Sequence, residues 1–310
     1  MIHVLCLNPA IDKIFEIDGF TAGEDYPGQR PRALAGGKGV NAARVLSQLG
    51  ERVRLYAFMG EESEALFGKE MGGRCECVFI PVPGACRTTI NVIDNRNRRE
   101  TVITEAGPQV GPAHVAALMD ALRRSIAAGD AVCCSGSVIA GAPEDIYAQV
   151  SRLCSEKGAA CALDCNAKAL PASLAGARYA LGKPNERELA ALLGEERTSE
   201  PGAVAAMARR LMPPYDALLV SMGAAGGVLV NGTEALAARL PQVKAVSTVG
   251  SGDAAFAGAV YAMAHGYGAA KTLRLAMACG AANAMREDVG SVDAGTVAAL
   301  EREIYIEEIG

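Results

Sequence analysis

Short, unbroken apolar runs alternate with helical stretches along most of this chain, and that alternation restricts the fold more than any other feature. Residues 2–7, 53–58, 131–134, 160–164, 179–182 and 217–221 read as buried strands, with 227–230 after them. Between and after them, residues 63–71, 112–127, 143–157, 186–193, 201–212, 253–265, 269–286 and 293–303 carry apolar side chains at helical spacing. Strand–helix alternation of this kind predicts an α/β fold, a mostly parallel central sheet with helices on both faces. Half of the 310 residues are hydrophobic, enough for one large core, so residues 1–310 are read as a single domain.

Two strand groups are too polar for that sheet. Residues 13–35, and 88–105 with a turn at Asn95-Arg96-Asn97-Arg98, predict a small inserted sheet that acts as a lid. Ile14, Ile17, Ile90, Val92, Ile93 and Val102 make its outer surface more apolar than a free face should be. A homodimer joined through the two lid sheets is therefore expected.

A net charge of −5 excludes the electrostatic footprint of a nucleic-acid or anionic-membrane binder. No apolar run approaches the length of a membrane span. Five of the ten cysteines, Cys6, Cys133, Cys134, Cys161 and Cys279, sit inside apolar runs, and with three histidines zinc partners are lacking. The first residues lack a basic lead and read as a core strand. A reduced, cytoplasmic protein is expected.

The chemistry-bearing loops fall at the carboxyl ends of these strands, where open α/β sheets bind ligands. The stretch 246–258 runs from an apolar lead through Gly250-Ser251-Gly252 into Asp253 and a helix. Such a turn collects free backbone N–H groups and the positive end of a helix dipole around an anion. An Asp beside a phosphate site makes sense as a base for an attacking hydroxyl. Two other readings fit the same residues: a capped turn, and a dinucleotide fingerprint using Gly250, Gly252 and Ala255. The second is disfavoured, because the motif lies far from the first strand–helix unit.

Four further loops accompany it. Asn8–Asp12, residues 8–12, offers a carboxylate suited to sugar hydroxyls. Gly36-Gly37-Lys38-Gly39-Val40-Asn41 opens a helix but is not a Walker A loop, since Gly39 stands where Ser or Thr is needed. Asn185 and Glu188 share the first turn of a helix, either as magnesium ligands or as a capping box. Ser221 to Gly227 brings small residues that let backbone approach a nucleotide, or that form a plain Gly-rich hairpin. Arg87, at the start of a lid strand, could reach a substrate phosphate or line a solvated edge.

In this order the loops resemble those of the ribokinase/PfkB carbohydrate kinase family, over essentially the whole chain. The carrying residues are Asn8-Pro9-Ala10-Ile11-Asp12, Gly36 to Asn41, Lys183-Pro184-Asn185 with Glu188, and Thr248 to Asp253. Arg87-Thr88-Thr89-Ile90-Asn91-Val92, Thr104 to Pro108 and Ser135-Gly136-Ser137 are similar to the branch acting on hexose phosphates. The resemblance implies a ribokinase-like fold and ATP-dependent phosphorylation of a hexose monophosphate, fructose 1-phosphate before tagatose 6-phosphate. It makes Asp253 the base and Gly250, Ser251 and Gly252 the anion hole. Asp12, Gly37, Lys38, Gly39, Asn41, Arg87 and Ser137 would bind the sugar phosphate. Lys183, Asn185, Ser221, Gly223, Gly226, Gly252 and Asn283 would bind ATP, and Asn185 and Glu188 would organise Mg2+. A non-catalytic sugar-phosphate sensor is the alternative of another class.

Two departures bear on the sugar. Tyr26-Pro27 stands where the family carries an Asn-Arg pair, with Arg30 and Arg32 nearby, and Asp164-Cys165-Asn166-Ala167 stands where the branch often has Asp-Thr-Ser-Gly.

Overall fold

The computed structural model describes residues 1–97 and 99–309. β1 (Ile2–Cys6) is buried along its whole length, whereas β2 (Ala10–Ile17) and β3 (Arg32–Gly36) are only partly covered. α1 (Lys38–Gln48), β4 (Val53–Gly60), α2 (Glu64–Met71) and β5 (Glu76–Val82) follow, then the antiparallel pair β6 (Arg87–Asp94) and β7 (Arg99–Thr104). The strand–helix rhythm resumes with α3 (Pro112–Ser125), β8 (Ala131–Ser135), α4 (Ile146–Lys157), β9 (Ala160–Asp164), α5 (Leu170–Leu174) and β10 (Leu181–Gly182). α6 (Glu186–Leu193) and α7 (Pro201–Arg210) precede β11 (Ala217–Ser221), β12 (Gly227–Asn231) and β13 (Ala235–Arg239). α8 (Ser251–Ala264), α9 (Ala269–Ala284), α10 (Ala294–Glu303) and β14 (Tyr305–Glu308) come after them.

The large sheet has the order β14-β13-β12-β11-β10-β9-β8-β1-β4-β5. From β5 to β11 its strands are parallel, and β12, β13 and β14 extend it as antiparallel neighbours. The pleat of β1 divides the core. Ile2, Val4 and Cys6 pack with α1, α8 and α9, while Leu5 and Leu7 pack on the other face with α3 and α4. Helices thus cover both faces, as the unbroken apolar strands require.

α8 is apolar on nearly every side because it lies inside this core, between the sheet, α1 and α9. Burying a side chain such as its Phe256 contributes about 1.5–3 kcal/mol. Gly258 permits the close approach of α9: a Cβ there would stand 2.8 Å from Cys279 Sγ and 2.9 Å from the Leu275 carbonyl oxygen.

Three strands go beyond the sequence reading: β5, β13 and β14. β5 contains Pro81 and alternates Cys with Glu at its start; it forms because it can pair on the free edge of β4. β13, Ala-Leu-Ala-Ala-Arg, has a helical composition, and pairing with β12 on one side and β14 on the other overrides it.

The polar strands form a separate four-stranded sheet in the order β3-β2-β6-β7. Its turn was expected at 95–98, of which Arg98 lies outside the described residues. The single apolar outer surface expected for it is corrected by the register. Ile14 pairs with Asn91 and Phe15 with Val92, so Ile14, Ile93 and Val102 lie on one face and Ile17, Ile90 and Val92 on the other. Ile14, Ile17 and Val92 are buried within the chain itself, whereas Val102 and its neighbour Ile103 are 54% and 56% exposed.

Candidate active site

β1 has β4 on one side and β8 on the other, so the sheet order reverses there and a crevice opens beyond the carboxyl ends. The loops leaving β1, β8, β9, β10 and β11 all reach that edge, because these five strands are parallel and successive neighbours. The N-termini of α1 and α8 face it as well.

Gly250 is the residue before the first turn of α8 and has φ +76°. A Cβ on Gly250 would lie 2.7 Å from the Gly290 backbone nitrogen, so both conformation and space demand glycine. No side chain caps this helix. The capped-turn reading therefore fails: Asp253 lies within the first turn, and its Oδ2 accepts a 2.8 Å hydrogen bond from Asn41 Nδ2. Burial pushes the Asp253 carboxyl up to about 6, although Lys38 pulls it down. A carboxylate poised there still ionises at neutral pH and holds a proton more readily than an exposed Asp.

Asn283, expected at the nucleotide, is buried behind this turn. Its Nδ2 donates to the Val249 carbonyl oxygen at 2.8 Å and to Ser251 Oγ at 3.1 Å, and its Oδ1 accepts from Ser291 N–H at 3.0 Å. It braces the anion nest from within.

α1 begins at Lys38, after Gly37 with φ +106°. Gly39 is buried against β1, where a Cβ would lie 2.6 Å from the Leu5 carbonyl oxygen and from Cys6 Cβ. Gly39 thus seats the helix on the strand, while its neighbour Lys38 reaches across the crevice to Asp164. Lys38 Nζ stands 3.1 Å from Asp164 Oδ1, and Lys183 Nζ stands 3.3 Å from Asp164 Oδ2. Burial alone would lower the Lys38 ammonium, but the carboxylates of Asp164, Asp253 and Glu188 hold it above its ordinary value. Lys183 is itself buried, and its Nζ would be 3.7 Å from a Cβ on Gly252. Asp164 lies in a segment already read as bearing on the sugar, but its pairing with Lys38 and Lys183 was not expected. An acid closing an apolar run at a strand's carboxyl end was the available signal.

Lys38, Arg87 and Ser137 line a cavity of about 140 Å³ together with Asn8, Ser135 and Asn166. Asn8 Nδ2 donates to Ser137 Oγ at 3.1 Å, and Arg87 Nε donates to the Asn8 carbonyl oxygen at 3.3 Å. Asn8 Oδ1 and Ser135 Oγ are buried there with no hydrogen-bond partner. Asp12 lies nearby on β2, with its carboxylate over Gly36, where a Cβ would come within 2.0 Å of Oδ2. Burial pushes Asp12 up to about 6, opposed by a hydrogen bond from Thr89.

A second cavity, of about 820 Å³, is lined by Asn185, Ser221, Gly223, Gly226, Ser251 and Gly252 among others. Its size and its small-residue wall suit a nucleotide. Asn185 and Glu188 form a reciprocal capping box: Glu188 N–H donates to Asn185 Oδ1 at 2.8 Å, and Asn185 N–H donates to Glu188 Oε2 at 2.9 Å. Among the described residues no group of three or more acidic, histidine or cysteine side chains could hold a metal. Glu188 Oε1 has no protein partner among them. The pair fits magnesium that arrives on nucleotide phosphates and is held through waters, and does not fit an all-protein cage.

Residues 4–294 match the pfkB family carbohydrate kinases. The chain is 36% identical over 283 residues to a 1-phosphofructokinase of Rhodobacter capsulatus, covering 89% of this chain and 88% of that one. It is 34% identical over 264 residues to a 1-phosphofructokinase of Xanthomonas campestris pv. campestris, covering 83% and 82%. The tetrameric inhibited form of phosphofructokinase-2 from Escherichia coli shares the fold, with a TM-score of 0.88 at 22% identity over 97% of this chain and 98% of that one. An anion nest beside a buried carboxylate, two cavities meeting at one sheet edge, and a match running almost the length of the sequence lead to one conclusion: this chain belongs to the pfkB family of carbohydrate kinases and is a sugar-phosphate phosphotransferase.

Proposed function

We propose that this protein is a 1-phosphofructokinase, which transfers the γ-phosphoryl group of ATP to the C6 hydroxyl of fructose 1-phosphate and yields fructose 1,6-bisphosphate and ADP. The observation that carries the reading is Asp253, a carboxylate with a raised pKa that adjoins the anion nest and faces Lys38 across the crevice. Kinship with relatives named 1-phosphofructokinase supports the choice of sugar.

Fructose 1-phosphate lies with its phosphate toward Lys38, Arg87 and Ser137 and with its hydroxyls toward Asp12. The C6 oxygen then points at Asp253. As that oxygen attacks the γ-phosphorus, its proton passes to the Asp253 carboxylate, and the bond from phosphorus to the bridging oxygen of ADP breaks. The backbone N–H groups at Gly250 and Gly252 meet the charge on the transferring group, and that of Ser251 joins them by giving up its 3.2 Å bond to the Thr248 carbonyl oxygen. Lys183, fixed by Asp164 close to Gly252, adds a positive charge on the same side. Glu188, with Asn185, would hold the waters of a magnesium ion arriving with ATP, and that ion would supply positive charge against the phosphates.

Val102 and Ile103, exposed on β7, support reading the small sheet as a lid that a second subunit covers. All ten cysteines are free, and nine are buried, which suits a reducing cytoplasm.

A coupled ADP-release assay over fructose 1-phosphate, tagatose 6-phosphate, fructose 6-phosphate and the free hexoses tests the proposal. Fructose 1-phosphate should give the highest kcat/KM. A higher value for another sugar would reassign the acceptor, and no turnover with any would return the protein to the sensor class.

A further inference from the structure

Arg44 is the one arginine that is buried among the described residues, and the reaction derived above does not use it. A guanidinium taken from water is costly unless acceptors surround it. Here they come from four segments. Nη1 donates to Asn41 Oδ1 at 3.1 Å and to the Val289 carbonyl oxygen at 2.9 Å. Nη2 donates to the Ala35 carbonyl oxygen at 2.6 Å, at the end of β3, and lies 3.5 Å from Glu70 Oε2 on α2.

The bond to Asn41 has a direction. Arginine only donates and an ionised carboxylate only accepts, while a side-chain amide does one through each end. Asn41 stands between Arg44 and Asp253. With its oxygen held by the guanidinium, its NH2 must point at Asp253 Oδ2, which it meets at 2.8 Å. Turned over, the amide would set oxygen against carboxylate and N–H against guanidinium. The same arginine holds the loop at Val289, whose neighbour Gly290 packs on both Asn41 and Gly250: a Cβ on Gly290 would lie 2.6 Å from Asn41 Cβ, and one on Gly250 would lie 2.7 Å from Gly290 N.

We propose that Arg44 is a positioning residue for the catalytic carboxylate, acting through the amide of Asn41. It fixes the sense of that amide, so that Nδ2 holds one oxygen of Asp253 and the other stays turned to the acceptor hydroxyl. It also ties this pair to the loop beneath the anion nest. The proposal rests on the reading of Asp253 as the base.

The test is a double-mutant cycle on kcat in the full chain, with Arg44→Met, Asn41→Ala and the double variant, assayed with fructose 1-phosphate and ATP. Arg44→Met should lower kcat about 10–100-fold in the wild-type background and less than about threefold once Asn41 is alanine. KM for ATP should stay within about threefold of wild type. If Arg44→Met does not fold, Arg44→Lys, which keeps the charge but loses the fork of donors, enters the same cycle and should show the same dependence on Asn41. Losses that multiply independently in the two backgrounds, or full activity of the Arg44 variant, overturn the proposal. Asp253→Asn is measured beside them. Near-wild-type turnover there removes the base assignment, whereas its inactivity together with independent Arg44 and Asn41 losses overturns only the role of Arg44.

Discussion

Lys38 and Asp164 form a 3.1 Å ion pair across the crevice, joining the first residue of α1 to the last residue of β9. The carboxylate is wholly buried and also holds Lys183, whereas the Lys38 side chain is 36% exposed. Lys38 is thus pre-oriented and still open to a ligand. Because Asp164 stays paired with Lys183, Lys38 can turn toward a substrate phosphate without leaving a lone buried charge behind.

Lys38→Ala should therefore act mainly on the sugar phosphate. Its KM should rise about 10–100-fold, with the KM for ATP within a few-fold of wild type. The ammonium also favours the charged form of Asp253, so the acid limb of kcat should move to higher pH in this variant. A change confined to ATP would assign the loop to the other substrate.

Asp253, as the proposed base, should carry the pH dependence. Its carboxyl is pushed up to about 6 by burial, with Lys38, Lys183 and Asn41 opposing that shift and Asp164 adding to it. A base must be ionised, so kcat should fall as pH drops through about 6. Asp12 titrates in the same range, and the limb should survive Asp12→Asn if Asp253 is its source. Stability runs the other way. A carboxyl raised above its unfolded value weakens the fold at neutral pH, and that cost is relieved as pH falls through 6 toward 4. Asp253→Asn should then lose turnover by a factor of about a thousand or more while gaining up to about 3 kcal/mol of stability. A melting curve and an ADP-release assay on one preparation read both effects.

Much of this was legible in the sequence, for reasons that differ by residue. The parallel strands announce themselves because a strand buried on both faces must be apolar throughout, as β1 and β8 are. Gly250 to Asp253 is legible because a nest needs glycine. The strand β13 is not, since its alanines are held extended only by neighbours on both sides. The pairing of Asn41 with Asp253 joins residues 212 apart, which no local pattern encodes. Arg44 was hidden among the apolar residues of α1, where an arginine is ordinarily a solvated position; the acceptors that bury it come from distant turns.

Glu188 separates a capping role from a metal role. Its Oε2 closes the capping box on Asn185 N–H, and in the proposed reaction Oε1 would be the oxygen to meet a magnesium-bound water. Glu188→Gln keeps an oxygen for the cap and removes the negative charge, so stability should change by less than about 1 kcal/mol. The Mg2+ concentration for half-maximal rate should rise several-fold. An unchanged magnesium titration would leave Glu188 with the cap alone.

The small sheet predicts a dimer that can be weakened at one strand. Val102 and Ile103 face opposite sides of β7, and both are more than half exposed in the isolated chain. The double substitution Val102→Lys with Ile103→Lys should shift sedimentation equilibrium toward monomer whichever face the second subunit covers, because a charge would be buried without a partner. A wild-type protein that is monomeric at micromolar concentration would overturn the subunit contact.

Gly39 links the fold to the site. Its missing side chain lets α1 sit on β1, and the atoms that an added Cβ would strike at 2.6 Å are the Leu5 carbonyl oxygen and Cys6 Cβ. Neither lies at the end of a flexible chain, so Gly39→Ala must push the start of α1 away from the sheet. The expected cost is about 1–3 kcal/mol, a fall in Tm of several degrees. Lys38 and Asn41 flank that position and move with it, so kcat should drop even at temperatures where the variant is fully folded. Gly68, in the middle of α2, is the control: a Cβ there meets nothing within 4 Å, and Gly68→Ala should stabilise the protein by up to about 1 kcal/mol with kcat unchanged. If Gly39→Ala loses stability but keeps full turnover, the seat of α1 on β1 serves the core and not the placement of Lys38 and Asn41.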